Sequence, residues 1–149
     1  MNIEIDQSLK IECTEKDTVV AFSDHIFASI LIRAKDKREI QKIFRNINQS
    51  KVFVYKLFAV LIFILIKDYL NKITEIIIDE EYPGKNKIIT DSLMREIKNV
   101  KPDFDRSNII FQQIGKNSKA HFVAWGVAMN KKLPDRVLGL KEILKFFIK

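Results

Sequence analysis

Apolar and polar positions alternate over the first part of the chain and then change period. Ile3, Ile5, Leu9 and Ile11 alternate with polar residues, with turn material at Gln7-Ser8. Thr18 to Phe22 is short and β-branched, and Phe27 to Ile32 follows after Ser23-Asp24-His25. A period of two over short runs predicts strands, here an antiparallel meander across residues 3–32. From 35 to 47 the period becomes helical. Ile40, Ile43, Phe44 and Ile47 share one side, with Lys35, Lys37, Arg38, Lys42 and Arg45 on the other. Residues 51–71 read as a second, more buried helix. Ile73 to Asp79 is a strand whose continuous isoleucines predict burial on both faces. Lys85 to Val100 is an amphipathic helix and Asn108 to Ile114 another strand. Ser118 is a good N-cap for a helix through Met129. After the loop Lys131–Asp135, Leu140 to Ile148 reads as a closing helix.

This order predicts an α/β fold over residues 1–149, read as one domain. Its sheet is mixed, a three-strand antiparallel meander plus two parallel strands, and helices flank it. Ligands of such sheets sit beyond the carboxyl ends of the parallel strands. Two similar junctions would meet there. One is Ile78-Asp79-Glu80-Glu81-Tyr82-Pro83-Gly84-Lys85-Asn86-Lys87, and the other is Ile114-Gly115-Lys116-Asn117-Ser118-Lys119.

Charge changes the picture in one respect. With 26 Lys+Arg against 19 Asp+Glu the formal charge is +7, and a basic protein favours nucleic acid or an acidic membrane as partner. The bland alternative is that Ile, Lys, Asn and Phe are simply abundant in the source composition. The apolar run Leu57 to Ile66 is shorter than the ~20 residues a membrane span needs. It is expected in the core, or else at a subunit interface of a homo-oligomer, and no membrane partner is expected. Cys13 is the only cysteine, so no intramolecular disulfide can form. A reducing, cytoplasmic location fits, with Cys13 read as a small packed side chain.

Candidate chemistry gathers at the two junctions. Asp79 and Glu81 share one side if the strand persists, and Glu80 points the other way. A Mg²⁺ or Mn²⁺ site would use such carboxylates together with phosphate oxygens and water. Further carboxylates would come from Asp6, Asp24, Glu39 or Asp91. The plain reading is a solvated turn that ends the strand. Gly115-Lys116-Asn117-Ser118 stands before a helix, where backbone N–H groups favour an anion. Lys85, Gly115, Lys116, Ser118 and Lys119 are therefore candidate phosphate-binding residues, against an ordinary capped turn. The glycine that a nucleoside-triphosphate loop needs four residues upstream is missing. His121 is a candidate general acid/base or phosphate contact, or packs on Trp125 four residues on. No His/Cys cluster has zinc spacing, and Ser118 with His121 lacks a third member for a hydrolase triad.

The element order resembles the ribonuclease H-like superfamily over most of the chain, at the level of topology. In that superfamily an acidic residue sits in the first strand and another ends the fourth strand beside it. Asp6, in Ile5-Asp6-Gln7-Ser8, and Asp79, in Ile78-Asp79-Glu80, would take those places. Glu39 would stand for the helix carboxylate. The last acidic residue, on the C-terminal helix, has no counterpart in Ala120 to Met129, where His121 is the polar residue near the start. The resemblance implies a Mg²⁺/Mn²⁺-dependent nuclease, a phosphodiester hydrolase with Asp79, Asp6, Glu39 and His121 as catalytic residues and Asp79, Glu81 and Asp6 on metal. The alternatives are a non-catalytic nucleic-acid-binding or assembly module with a basic rim, and a small phosphate-compound binding protein.

Overall fold

The alternating N-terminal residues form three strands, β1 (Asn2–Ser8), β2 (Thr18–Ser23) and β3 (Phe27–Ile32), paired in sequence as an antiparallel meander. The computed structural model describes residues 1–115 and 118–148. After β3 come α1 (Ala34–Asn46), α2 (Phe53–Ile66), β4 (Glu75–Asp79), α3 (Asn86–Val100), β5 (Ile109–Gln112), α4 (Lys119–Ala128), β6 (Arg136–Val137) and α5 (Leu140–Leu144). The strands form one mixed six-stranded sheet in the order β5-β4-β1-β2-β3-β6, flanked by helices. β1 pairs with β4, β4 with β5, and β3 with β6, all in parallel. No described helix is long and apolar enough to cross a membrane.

Strand alternation decides the two faces. Ile3 and Ile5, Val20 and Phe22, Ile30 and Ile32, and Ile76 and Ile78 point one way, into a core shared with α2 and α3. Every residue of Leu57 to Ile66 is buried in that core, so the run is internal and offers no subunit interface. The other face is thinner. Val19 and Ala21 meet Ala124 and Val127 of α4, and Ala120 and Ala124 are fully buried. Small side chains on both sides let the helix lie close to the sheet.

The structure departs from the sequence reading at several places, each with a physical reason. Gln7 and Ser8 belong to β1, paired with Val20 and Val19, and the chain leaves the strand at Leu9, with φ 62°. The 51–71 segment is α2 between two 3₁₀ turns, Ser50–Val52 and Lys67–Lys72. Ile77 is only half-buried, because α4 lies over β1, β2 and β3 and leaves that side of β4 partly open. Ile47 falls beyond the end of α1 and is exposed. Cys13 is exposed in the β1–β2 connection and is no packed side chain. Lys37 is fully buried. Its ammonium donates to the carbonyl of Cys13 and to Thr18 Oγ1, both at 2.8 Å, which ties α1 to that connection. Burial lowers its pKa to about 8. The two-residue β6 is too short for any alternation to reveal.

Candidate metal centre

The parallel pairing of β1 and β4 places Ile5 beside Ile78. One step further along each strand stand Asp6 and Asp79, on the same face of neighbouring strands about 4.8 Å apart. Glu81 lies two residues past Asp79 and returns to that face. Asp6, Asp79 and Glu81 each offer a carboxylate oxygen, all within 4.8 Å of one another, and this group could hold a metal ion. Among the described residues it is the one such group. Asp24 and Asp91 lie outside it: Asp24 is near His25, and Asp91 is paired with Lys87 and Arg106. Glu39 is exposed on α1 and paired with Lys42 at 3.3 Å, so the structure does not bring it to the carboxylates. Glu80 points away, as expected, and accepts from Asn86 Nδ2 at 2.9 Å.

Directed hydrogen bonds hold the carboxylates. The Gln7 N–H donates to Asp6 Oδ1 at 2.8 Å, and His121 Nδ1 is 3.1 Å from Asp6 Oδ2. The Ile114 N–H donates to Asp79 Oδ1 at 2.9 Å, so the connection after β5 reaches the centre as the parallel arrangement requires. Each carboxylate has about four lone-pair sites, and capacity for a cation remains. Asp6 is 4% exposed. Burial, and next the Asp79 charge, push its pKa above the usual carboxylate range. Burial also pushes Glu81 up to about 7, aided by its hydrogen bond to Asp79 and the Asp79 charge. Lys10, 3.6 Å from Glu81, acts in the opposite sense.

The turn carrying Glu81 is anchored from the core side. Gln7 Nε2 donates to the Tyr82 hydroxyl at 2.8 Å, which donates to Glu12 Oε1 at 3.0 Å. The Tyr82 ring packs edge-on against Tyr55 and Phe58. Gln7 Oε1 is buried without a partner among the described residues. Sequence reasoning missed Gln7 and Glu12. Taking Gln7 as turn material concealed that it faces the core at the strand end.

The second junction is more mixed. Ser118 caps α4, accepting from the Ala120 N–H at 3.1 Å, and its hydroxyl donates to Glu4 Oε2 at 3.4 Å. A carboxylate of the protein itself thus stands at the start of the helix, and the junction takes the form of the capped turn that was the alternative to a phosphate site. Gly115 has φ 80° and nothing within 4 Å of where a Cβ would be. Lys119 is exposed, and Lys116 lies outside the described residues. Lys85 stands over the Tyr55 ring at 5.5 Å. His121 faces Asp6 and contacts Phe122 edge-on with centroids 5.9 Å apart. The Asp6 contact places His121 beside the carboxylate group. Comparison with protein-family models, curated proteins and solved structures found no match.

Proposed function

We propose that the chain is a metal-dependent nuclease with a ribonuclease H-like fold, and that Asp6, Asp79 and Glu81 hold its Mg²⁺ or Mn²⁺. The observation that carries this reading is the side-by-side placement of Asp6 and Asp79 on adjacent parallel strands, with Glu81 within reach of both. The order of elements and the positions of Asp6 in β1 and Asp79 at the end of β4 support the fold assignment. The donor chemistry fits. Clustered hard oxygen ligands suit Mg²⁺ or Mn²⁺. Burial first, then the neighbouring Asp79, raises the pKa values of Asp6 and Glu81, so a cation would offset the cost of keeping these carboxylates ionised.

A bound divalent ion would supply a water of lowered pKa and would neutralise charge growing on the phosphoryl oxygens. The chain's residues do the rest. Gln7 and Ile114 backbone N–H groups fix the directions of Asp6 and Asp79. With Nδ1–H donated to Asp6, the His121 Nε2 carries the lone pair, placed to take or return a proton at the attacked phosphate. A bound ion would displace the proton from Glu81, so binding would strengthen as pH rises through about 7. Lys10, 3.6 Å from Glu81, is a nearby cation suited to phosphate oxygens, and Lys119 opens α4 two residues before His121.

The test is cleavage of labelled single- and double-stranded DNA, RNA and an RNA/DNA hybrid with Mg²⁺, Mn²⁺ or EDTA. Metal-dependent cleavage lost in Asp79→Asn is the expected result. One observation favours a second reading, a non-catalytic nucleic-acid-binding module: α4 carries no carboxylate. Salt-sensitive binding with no cleavage under any metal would select it.

A further inference from the structure

Helix α4 is apolar on both sides. Ala120, Ala124 and Val127 bury its inner side on the sheet. Phe122, Trp125 and Met129 follow one another along its outer side and are 56%, 40% and 43% exposed. A surface helix ordinarily turns polar side chains to water, and a row of exposed apolar groups within a polar rim marks a binding surface. Here the rim is cationic. The Lys131 ammonium lies 4.8 Å from the centre of the Trp125 ring. Lys119 and Lys132 line a groove beside the stripe with Phe27, Phe122 and Leu133. The carboxylate of Asp135, also in that groove, accepts from the Ser29 N–H at 2.9 Å. The sequence has no Asp or Glu between Asp105 and Asp135.

Charge decides the occupant. A second copy docked on this face would bring Lys119, Lys131 and Lys132 against their own counterparts in a chain of formal charge +7, and like charges across an interface oppose association. A single nucleic-acid strand offers the complement, flat bases for the rings and phosphates for the lysines. Phe122 and Trp125 are about 4.5 Å apart along the helix axis, a spacing that accepts neighbouring bases. The stripe also starts beside the carboxylates, because His121 next to Phe122 bonds Asp6. We infer that the outer face of α4 is a stacking track for a single nucleic-acid strand, with Phe122 and Trp125 as platforms and Lys119, Lys131 and Lys132 on the phosphates. The inference rests on the nucleic-acid reading above and adds the strand form and its path.

Trp125 is the only tryptophan, so emission excited beyond the tyrosine absorption reports on the track alone. The experiment titrates a short oligothymidine, and a duplex of equal length, into the protein in EDTA, where metal-dependent cleavage is off. Labelled-oligonucleotide anisotropy follows the variants. Expected are quenching of Trp125, preference for the single strand, about tenfold weaker binding or more in Trp125→Ala and in Phe122→Ala, and recovery in Trp125→Phe. Both side chains are exposed, and circular dichroism confirms that the variants fold. Binding that leaves Trp125 emission unchanged and is equally tight in both alanine variants overturns the track. So does absence of binding, or Trp125 emission that shifts with protein concentration alone, which would assign the face to a second copy. The nuclease reading fails separately. Quenching intact in Asp79→Asn supports the track even if no metal supports cleavage. Full cleavage in Trp125→Ala and Phe122→Ala removes the track and leaves the nuclease.

Discussion

Asp79→Asn should make the protein more stable without metal and less stable with it. The carboxylate oxygens of Asp6, Asp79 and Glu81 lie within 4.8 Å of one another. Two unit charges at that distance repel by about 3.5 kcal/mol at an effective dielectric of ~20, and by about 0.9 kcal/mol in bulk water. The Glu81 side chain is 22% exposed, so solvent and salt reduce the repulsion relieved to roughly 1–2 kcal/mol. The asparagine keeps its carbonyl oxygen for the Ile114 N–H, so the main hydrogen bond survives. For a domain of this size that gain corresponds to roughly 2–8 °C in Tm. It should appear near pH 8 in EDTA at low salt and fade near pH 4, where Glu81 is protonated. Millimolar Mn²⁺ should reverse the order. A ligand at a hundred times its Kd stabilises by about 2.7 kcal/mol, and only the wild type retains all three carboxylates. Differential scanning calorimetry of both proteins, in EDTA and in Mn²⁺ at both pH values, measures the four differences. A mutant less stable than wild type in EDTA near pH 8, with equal shifts of both proteins in Mn²⁺, would refute the reasoning and make the cluster a hydrogen-bonding feature.

Three further outcomes follow from buried groups. Stability should pass through a minimum near pH 7–8. Glu81, with its folded pKa raised from 4.5 to about 7, holds a proton that the unfolded chain releases, so its contribution falls as pH rises through that window. Lys37, lowered from 10.5 to about 8, is the reverse, and stability rises with pH from about 8 to 10.5. Urea unfolding across pH should show the low-pH side flatten in Glu81→Gln and the high-pH side in Lys37→Met. Lys37→Met should also cost about 2–4 kcal/mol near pH 7, because the Cys13 carbonyl and the Thr18 hydroxyl lose a charged partner. Ala124→Leu should cost about 1–3 kcal/mol by wedging α4 off Val19 and Ala21, and should lower Mn²⁺ affinity in calorimetric titration by moving His121 from Asp6.

Local period made part of this molecule legible. Asp79 and Glu81 share a face because a strand alternates, and the structure brings both to the centre. The helix between β4 and β5 implied parallel strands, which carries the β5 connection to Asp79. Other features were legible by spacing but concealed by residue type. Lys37, Ile40 and Phe44 recur at i, i+3 and i+7, one face of α1, yet a lysine reads as a solvated residue. Its burial depends on carbonyls of the distant β1–β2 connection. Gln7-Ser8 read as a turn for the same reason, because polar residues at a strand end look like loop until Tyr82 and Val20 are known to face them. β6 and the open face of Ile77 are tertiary facts, since nothing within those segments tells which strands α4 will cover.

The residues that form the centre break the apolar pattern of their own strands. β1 and β4 fill their core face with isoleucine as far as Ile5 and Ile78. On the α4 face, one register step later, they set Asp6 and Asp79 side by side, with Asp6 almost wholly buried. Apolar side chains would be more stable there than adjacent carboxylates. The fold instead aims the carboxylates, with the Gln7 and Ile114 N–H groups and His121 as donors and the Gln7–Tyr82–Glu12 chain fixing the turn that carries Glu81. Lys10 at 3.6 Å compensates a single carboxylate. On the proposed reading, the carboxylates held in fixed directions would take a cation and the cationic aromatic helix face a polyanion, and each half can be removed separately, by Asp79→Asn or by Trp125→Ala.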